Sequence, residues 1–109
     1  MPRKIRIVTS SFATLENTSP PFNIHPPEPE ENILLAKEII ESSKSFNPDV
    51  IVLPETFKIA GLPGELIFQN AEAIPGPTFN FLAESAKNGR TNIIAGHMVR
   101  EGGKIFNKA

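Results

Sequence analysis

At 109 residues the chain holds at most one domain, and its 39% of hydrophobic residues lies toward the low side for a packed core. A net charge of −1, with 21% charged residues, argues against a nucleic-acid footprint or a polybasic membrane patch. There is no cysteine, which excludes disulfides, thiolate metal sites and a cysteine nucleophile from these residues.

The basic opening Pro2-Arg3-Lys4 has the character of a signal-peptide start, but the apolar run after it reaches only from Ile5 to Val8 and is broken by Arg6. No apolar run approaches the ~18 residues that span a bilayer. The expectation is a soluble, cytoplasmic protein with no membrane or nucleic-acid partner. A domain of this size buries about two-thirds of its unfolded surface, so independent folding is within reach.

Lys4 to Phe12 is the first expected strand, with Ile5 and Ile7 on one face and Val8 on the other, so both faces are expected to be covered. Residues 13–29 then carry Pro20, Pro21, Pro26, Pro27 and Pro29 without apolar periodicity, which predicts a stiff, irregular surface loop. His25 lies inside it, and a histidine there is either solvated or has a ligand or catalytic role.

A helix is expected from Pro29, which suits a first helical position, with Glu30 and Glu31 where the helix dipole favours negative charge. Ile33, Leu35, Ala36, Ile39 and Ile40 form its apolar face, and Lys37, Glu38, Glu41 and Lys44 the other. Asn47-Pro48 ends it, asparagine tolerating the left-handed cap conformation. Asp49-Val50-Ile51-Val52-Leu53 follows as a strand buried on both faces and stopped by Pro54. Strand–helix–strand crossovers are right-handed in nearly all cases, which makes these two strands parallel.

The spacing Gly61-x-Pro63-Gly64 marks turns, as does Pro75-Gly76-Pro77. Thr78 is the expected N-cap of a second helix, with Phe79, Leu82, Ala83 and Ala86 as its apolar face and Gly89 at its C-terminal cap. Asn92 to Val99 is a third strand. Gly102-Gly103 is a two-residue hairpin turn with Glu101 and Lys104 as a charge pair across it, leading to a last strand from Lys104. The order β-α-β-loop-α-β-β is α/β, with two parallel crossovers and a final antiparallel hairpin.

Among candidate functional residues, Glu55 stands out. It is the first side chain beyond the Pro54 stop, and ligand crevices of parallel sheets lie outside the carboxyl ends of the strands. Partial desolvation at the mouth of a buried strand favours a carboxyl group's neutral form, so a carboxylate here is a candidate general base. The alternative is a structural glutamate that caps a helix or pairs with Lys58 at the surface. Glu65, in a turn, is a weaker candidate, and Asp49 suits a turn at the entry of its strand. Phe57 either lines a substrate pocket or packs as a core aromatic beneath the loop. His97, at the end of the third strand, could face the same crevice, but His97, His25 and Glu55 offer no close ligand pair, and no metal is expected. Neither a phosphate-cradling glycine loop nor a serine nucleophile elbow is present.

The run Lys4-Ile5-Arg6-Ile7-Val8, then Glu31-Asn32 opening a helix, then Asp49-Val50-Ile51-Val52-Leu53-Pro54-Glu55 resembles the nitrilase-like carbon–nitrogen hydrolase superfamily. Ile74-Pro75-Gly76-Pro77-Thr78, Ile93-Ile94-Ala95-Gly96 and Ile105-Phe106-Asn107-Lys108-Ala109 continue the resemblance in order, across the whole chain apart from the proline-rich loop. It implies an α-β-β-α sandwich and a Glu–Lys–Cys triad acting on amide or nitrile substrates, with no cofactor, in a protein that forms homo-oligomers when full length. Glu55 matches the glutamate, the general base toward the cysteine thiol. The lysine and cysteine of the pattern fall beyond the strand that begins at Lys104, and neither Lys104 nor Lys108 stands in their context. Leu62 follows Gly61 where an aromatic residue is common. These implications describe residues 1–109 as an incomplete hydrolase domain, cut within its last strand. The alternative is a non-catalytic α/β fragment that binds a ligand or a partner.

Overall fold

The computed structural model describes residues 3–11, 28–60, 62 and 64–109. Residues 12–27, which hold His25 and most of the expected proline-rich loop, lie outside them, along with Met1, Pro2, Gly61 and Pro63. Three strands, β1 (Ile7–Thr9), β2 (Val50–Val52) and β3 (Asn92–Ile94), form a parallel sheet in the order β1-β2-β3. The register sets Val8, Ile51 and Ile93 side by side on one face, and Ile7, Val50 and Asn92 on the other.

The first face is covered by α1 (Pro29–Ser43) and α3 (Pro77–Gly89). Ala36 and Ile40 of α1 meet Ile51, Leu53 and Phe57 in the core, with Val8, Ile33, Ile39, Phe81, Leu82, Ile93 and Ala95 packed around them. The second face is open: Ile7 is 61% and Ile94 52% exposed. The expectation that β1 and β2 are covered on both faces therefore holds for one face only.

α1 starts at Pro29 as expected, and Glu31 turns back to accept a hydrogen bond from the Glu28 N–H at 3.3 Å. A 3₁₀ turn at Lys44–Phe46 follows, and Asn47 closes it in the left-handed conformation at φ 49°. Asp49 then ties β2 to the chain before β1. Its carboxylate accepts from the Arg3 guanidinium and, at 3.0 Å, from the Arg6 N–H. The Arg6 N–H and the two arginine charges hold this carboxyl group below its ordinary range.

Several boundaries differ from expectation. A short helix, α2 (Gly64–Gln69), occupies the loop after β2 and carries the exposed Glu65. α3 is capped by Gly76 in place of Thr78, which is buried one position inside the helix, and Arg90, at φ 49°, takes the left-handed position past Gly89. The core-facing residues of α3 are Phe81 and Leu82, and Phe79 is 43% exposed, so the buried face is rotated from the expected one. The third strand divides at Ala95-Gly96 into β3 and β4 (His97–Glu101), and β4 pairs antiparallel with β5 (Lys104–Lys108). Gly102 and Gly103 make the turn with φ of 57° and 77°, the conformation glycine adopts most readily in a two-residue hairpin. Glu101 lies opposite Lys104 in the register, but its carboxylate accepts from Lys108 Nζ, at 2.6 Å. No helix among the described residues is long and apolar enough to cross a membrane.

Candidate active site

β2 is the central strand, and its carboxyl end delivers Glu55. The ladder continues one residue past the strand, the Leu53 N–H donating to Ile94 O at 2.9 Å, before Pro54 ends it. The backbone then turns sharply: Thr56 sits in the left-handed region at φ 47°, ψ 43° and opens a 3₁₀ turn over Phe57–Ile59. A β-branched residue held there costs roughly 1–3 kcal/mol, a strain that persists only where surrounding contacts impose the conformation.

Those contacts come from separate elements. Gly96, between β3 and β4, lies against the turn. A Cβ built on it would stand 2.8 Å from Thr56 N, 3.0 Å from Glu55 Cα and 3.2 Å from Glu55 Cγ, so only glycine fits without displacing the turn. Asn32, buried on α1, donates from Nδ2 to the carbonyls of Lys58 and Ala60, at 3.0 Å each. Phe57 is fully buried beneath the turn, among Ala36, Ile40, Ile51 and Leu53.

Glu55 itself is exposed, in contrast to the desolvation expected at the mouth of a buried strand. Its orientation comes from Asn107 of β5, whose Nδ2 donates to Glu55 Oε1 at 2.7 Å. That bond leaves Oε2 without a hydrogen bond among the described residues, available to accept a proton. The pairing with Lys58 does not form: Lys58 Nζ lies on Glu72 Oε2, at 2.9 Å. Leu53, Glu55, Gly96, Asn107, Lys108 and Ala109 line an open cleft of about 330 Å³. Phe57 is not among its lining residues.

Beside the turn lies a second, more buried polar cluster. The Glu72 carboxylate accepts from Lys58 Nζ, from the Thr78 N–H at 3.2 Å and from the Thr78 hydroxyl, and Lys58 Nζ also reaches Asn70 O at 3.3 Å. These donors outweigh the cost of burial and lower the carboxyl pKa of Glu72 from its ordinary 4.5. His97 Nε2 stands 3.9 Å from Glu72 Oε2, buried and without a hydrogen-bond partner among the described residues. Burial lowers the imidazole pKa from 6.5, opposed by the Glu72 charge and assisted by Lys58. His97 thus faces Glu72 in this cluster.

The description of the family model that matches residues 18–109 is "carbon-nitrogen hydrolase". The chain belongs to the carbon–nitrogen hydrolase family. Within this family it resembles a protein named nitrilase from Pyrococcus abyssi (strain GE5 / Orsay), at 31% identity over 85 residues. That alignment covers 75% of this chain and 32% of the relative, so the chain spans about a third of the length of the curated relative it matches. The resemblance carried by the Leu53-Pro54-Glu55 element and its flanking segments is in accord with this assignment to the carbon–nitrogen hydrolases.

Asn32, Gly96, Asn107 and Glu72 had no assigned role at the level of sequence. Two of them carried a signal. Gly96 interrupts a strand pattern, a mark of close backbone approach, and Asn32 is a polar residue on the apolar face of α1. Asn107 entered only within the Ile105–Ala109 segment of the resemblance, and Glu72 not at all, since their roles depend on tertiary contacts that no local pattern shows.

Proposed function

We propose that the chain is the N-terminal part of a carbon–nitrogen hydrolase that cleaves amide or nitrile C–N bonds of small molecules through a Glu–Lys–Cys triad, with Glu55 as its general base. The observation that carries this reading is the placement of Glu55. Glu55, the residue that the resemblance sets at the glutamate position, stands at the carboxyl end of the central strand, where it lines the cleft with one carboxylate oxygen held by Asn107.

In this mechanism Glu55 takes the proton of a cysteine thiol supplied from outside these 109 residues. The thiolate forms a bond to the amide or nitrile carbon. For an amide, the lysine stabilises the developing oxyanion, the C–N bond breaks and the amine leaves with the proton that Glu55 took from the thiol. Water, giving a proton to Glu55, then adds its hydroxyl to the thioester carbon; the C–S bond breaks to release the acid, and Glu55 returns the proton to the thiolate. No cofactor enters this sequence. Phe57 contributes from below, as the packed floor that keeps the turn rigid around its substrate-facing side.

The architecture proposed for the whole protein is the α-β-β-α sandwich. The helices α1 and α3 cover one face of the sheet, and the open face bearing Ile7 and Ile94 is the surface a second sheet would cover. A cytoplasmic homo-oligomer is the assembly this reading favours. Reading the coding frame past Ala109 tests it: a lysine in a basic segment after the hairpin and a cysteine beyond a further strand are expected. A stop codon there, with a stable soluble product that hydrolyses nothing, favours instead a non-catalytic fragment.

A further inference from the structure

The Glu55 turn is fixed at its carboxylate by Asn107 and along its backbone by Asn32, but Lys58, the one charged side chain of the 3₁₀ turn, points elsewhere: to Glu72. The segment that carries Glu72 is itself laid along β4. The Glu72 N–H donates to Met98 O at 3.2 Å, and Arg100 N–H donates to Glu72 O at 2.8 Å. The β4–β5 hairpin that receives these bonds also carries Asn107. One residue therefore joins the turn to the hairpin. Its backbone is zipped to the hairpin that orients the carboxylate, and its side chain holds the turn from which that carboxylate projects.

We propose that Glu72 is the positioning residue of the candidate active site, clasping Lys58 of the Glu55 turn to the start of α3 and to the Asn107 hairpin. The chemistry of the clasp suits this role. Glu72 and Lys58 side chains are only 13% and 17% exposed, so the pair is shielded from salt and water. The carboxylate also accepts from the Thr78 N–H and hydroxyl at the α3 N-terminus, where the helix dipole favours a negative group. A shielded carboxylate held by three donors has few alternative arrangements, and the turn inherits that definition. Removing the Glu72 charge leaves Lys58 shielded and uncompensated, so the ammonium must leave for solvent and draw the turn with it.

The clasp stands on geometry alone; its consequence for catalysis rests on Glu55 being the general base. The test uses the full-length protein and two readouts. By hydrogen exchange without substrate, Glu72→Gln and, independently, Lys58→Met are expected to speed exchange of the Ile59 and Ala60 amides about tenfold or more, while the Ile51 amide in the sheet keeps its rate. Lys58→Arg keeps the ion pair and is expected to restore slow exchange. In substrate turnover, Glu72→Gln is expected to lower the rate of acyl-enzyme formation with KM unchanged. Unaltered Ile59 and Ala60 exchange in both variants overturns the proposal whatever Glu55 does, as does a loss of protection that extends equally to Ile51. If the turn loosens but acylation is unaffected, the clasp stands and its catalytic consequence is overturned; Glu55→Gln, run beside it, reads the general base separately, an undiminished rate there removing that reading.

Discussion

Replacing Gly96 by alanine isolates how far the position of Glu55 depends on close packing. No positive φ protects this site, so alanine is compatible with the backbone and the entire effect comes from one methyl group. That methyl would lie 2.8 Å from Thr56 N and 3.0 Å from Glu55 Cα, roughly 0.6–0.8 Å inside ordinary contact. Both atoms belong to the backbone and cannot rotate away, so the turn itself must move. Overpacking of this kind costs about 1–3 kcal/mol of stability, and a displacement approaching 1 Å of a reacting group lowers catalysis by up to about 10²-fold. The assay is the urea midpoint of the full-length protein together with its rate of acyl-enzyme formation. Gly64→Ala is the control: nothing lies within 4 Å of its Cβ position, and the change is expected to be neutral or stabilising. Gly96→Ala with both midpoint and acylation rate unchanged would refute the reasoning, because the turn would then have room that the structure denies it.

The other expectations concern acid stability, the orienting bond and the open sheet face. His97 has a lowered pKa, so above pH 6.5 it is neutral in both folded and unfolded states; as pH falls below 6.5 the unfolded chain takes the proton first and stability declines toward the folded pKa. Glu72, also lowered, contributes stability that is complete above 4.5 and is lost as pH falls from there through its folded pKa. Urea midpoints across this range should fall in two stages, and His97→Asn should flatten the upper one; an unchanged upper stage would contradict the assignment. Asn107→Ala removes a charge-assisted bond from an exposed carboxylate, so acylation should drop about tenfold with little change in melting temperature. The 109-residue chain alone exposes Ile5, Ile7 and Ile94, and should self-associate or unfold with a concentration-dependent transition. A sharp, reversible, concentration-independent transition of a monomer would contradict that.

The elements legible in the sequence are those whose signals are local. Pro29 and the acidic first turn start α1, Asn47 ends the segment, the β-branched run makes β2, and Gly102-Gly103 turns the hairpin; each depends on neighbours within a few residues. The misplaced details depend on tertiary contact. Thr78 is a good N-cap by composition, but its hydroxyl is spent on Glu72, so Gly76 caps α3 while the buried face rotates to Phe81 and Leu82. β3 and β4 read as one strand because Gly96 marks a close backbone approach without saying which segment passes there; only the fold brings the Glu55 turn against it. α2 is six residues long, too short for a helical period to show through its flanking glycines and prolines. At the site, Glu55 was legible as a carboxylate at a strand end. Its partner was not, because Asn107 is 52 residues away and meets it only once the hairpin has docked.

The central claim is that Glu55 generates the nucleophile. It is tested most directly by intact-mass analysis of the full-length protein quenched during turnover of a small amide or nitrile. The account predicts an acyl adduct on one cysteine of the unmodified enzyme and none in Glu55→Gln, with Asn107 and Glu72 left in place. Adduct formation at an undiminished rate in Glu55→Gln would contradict it.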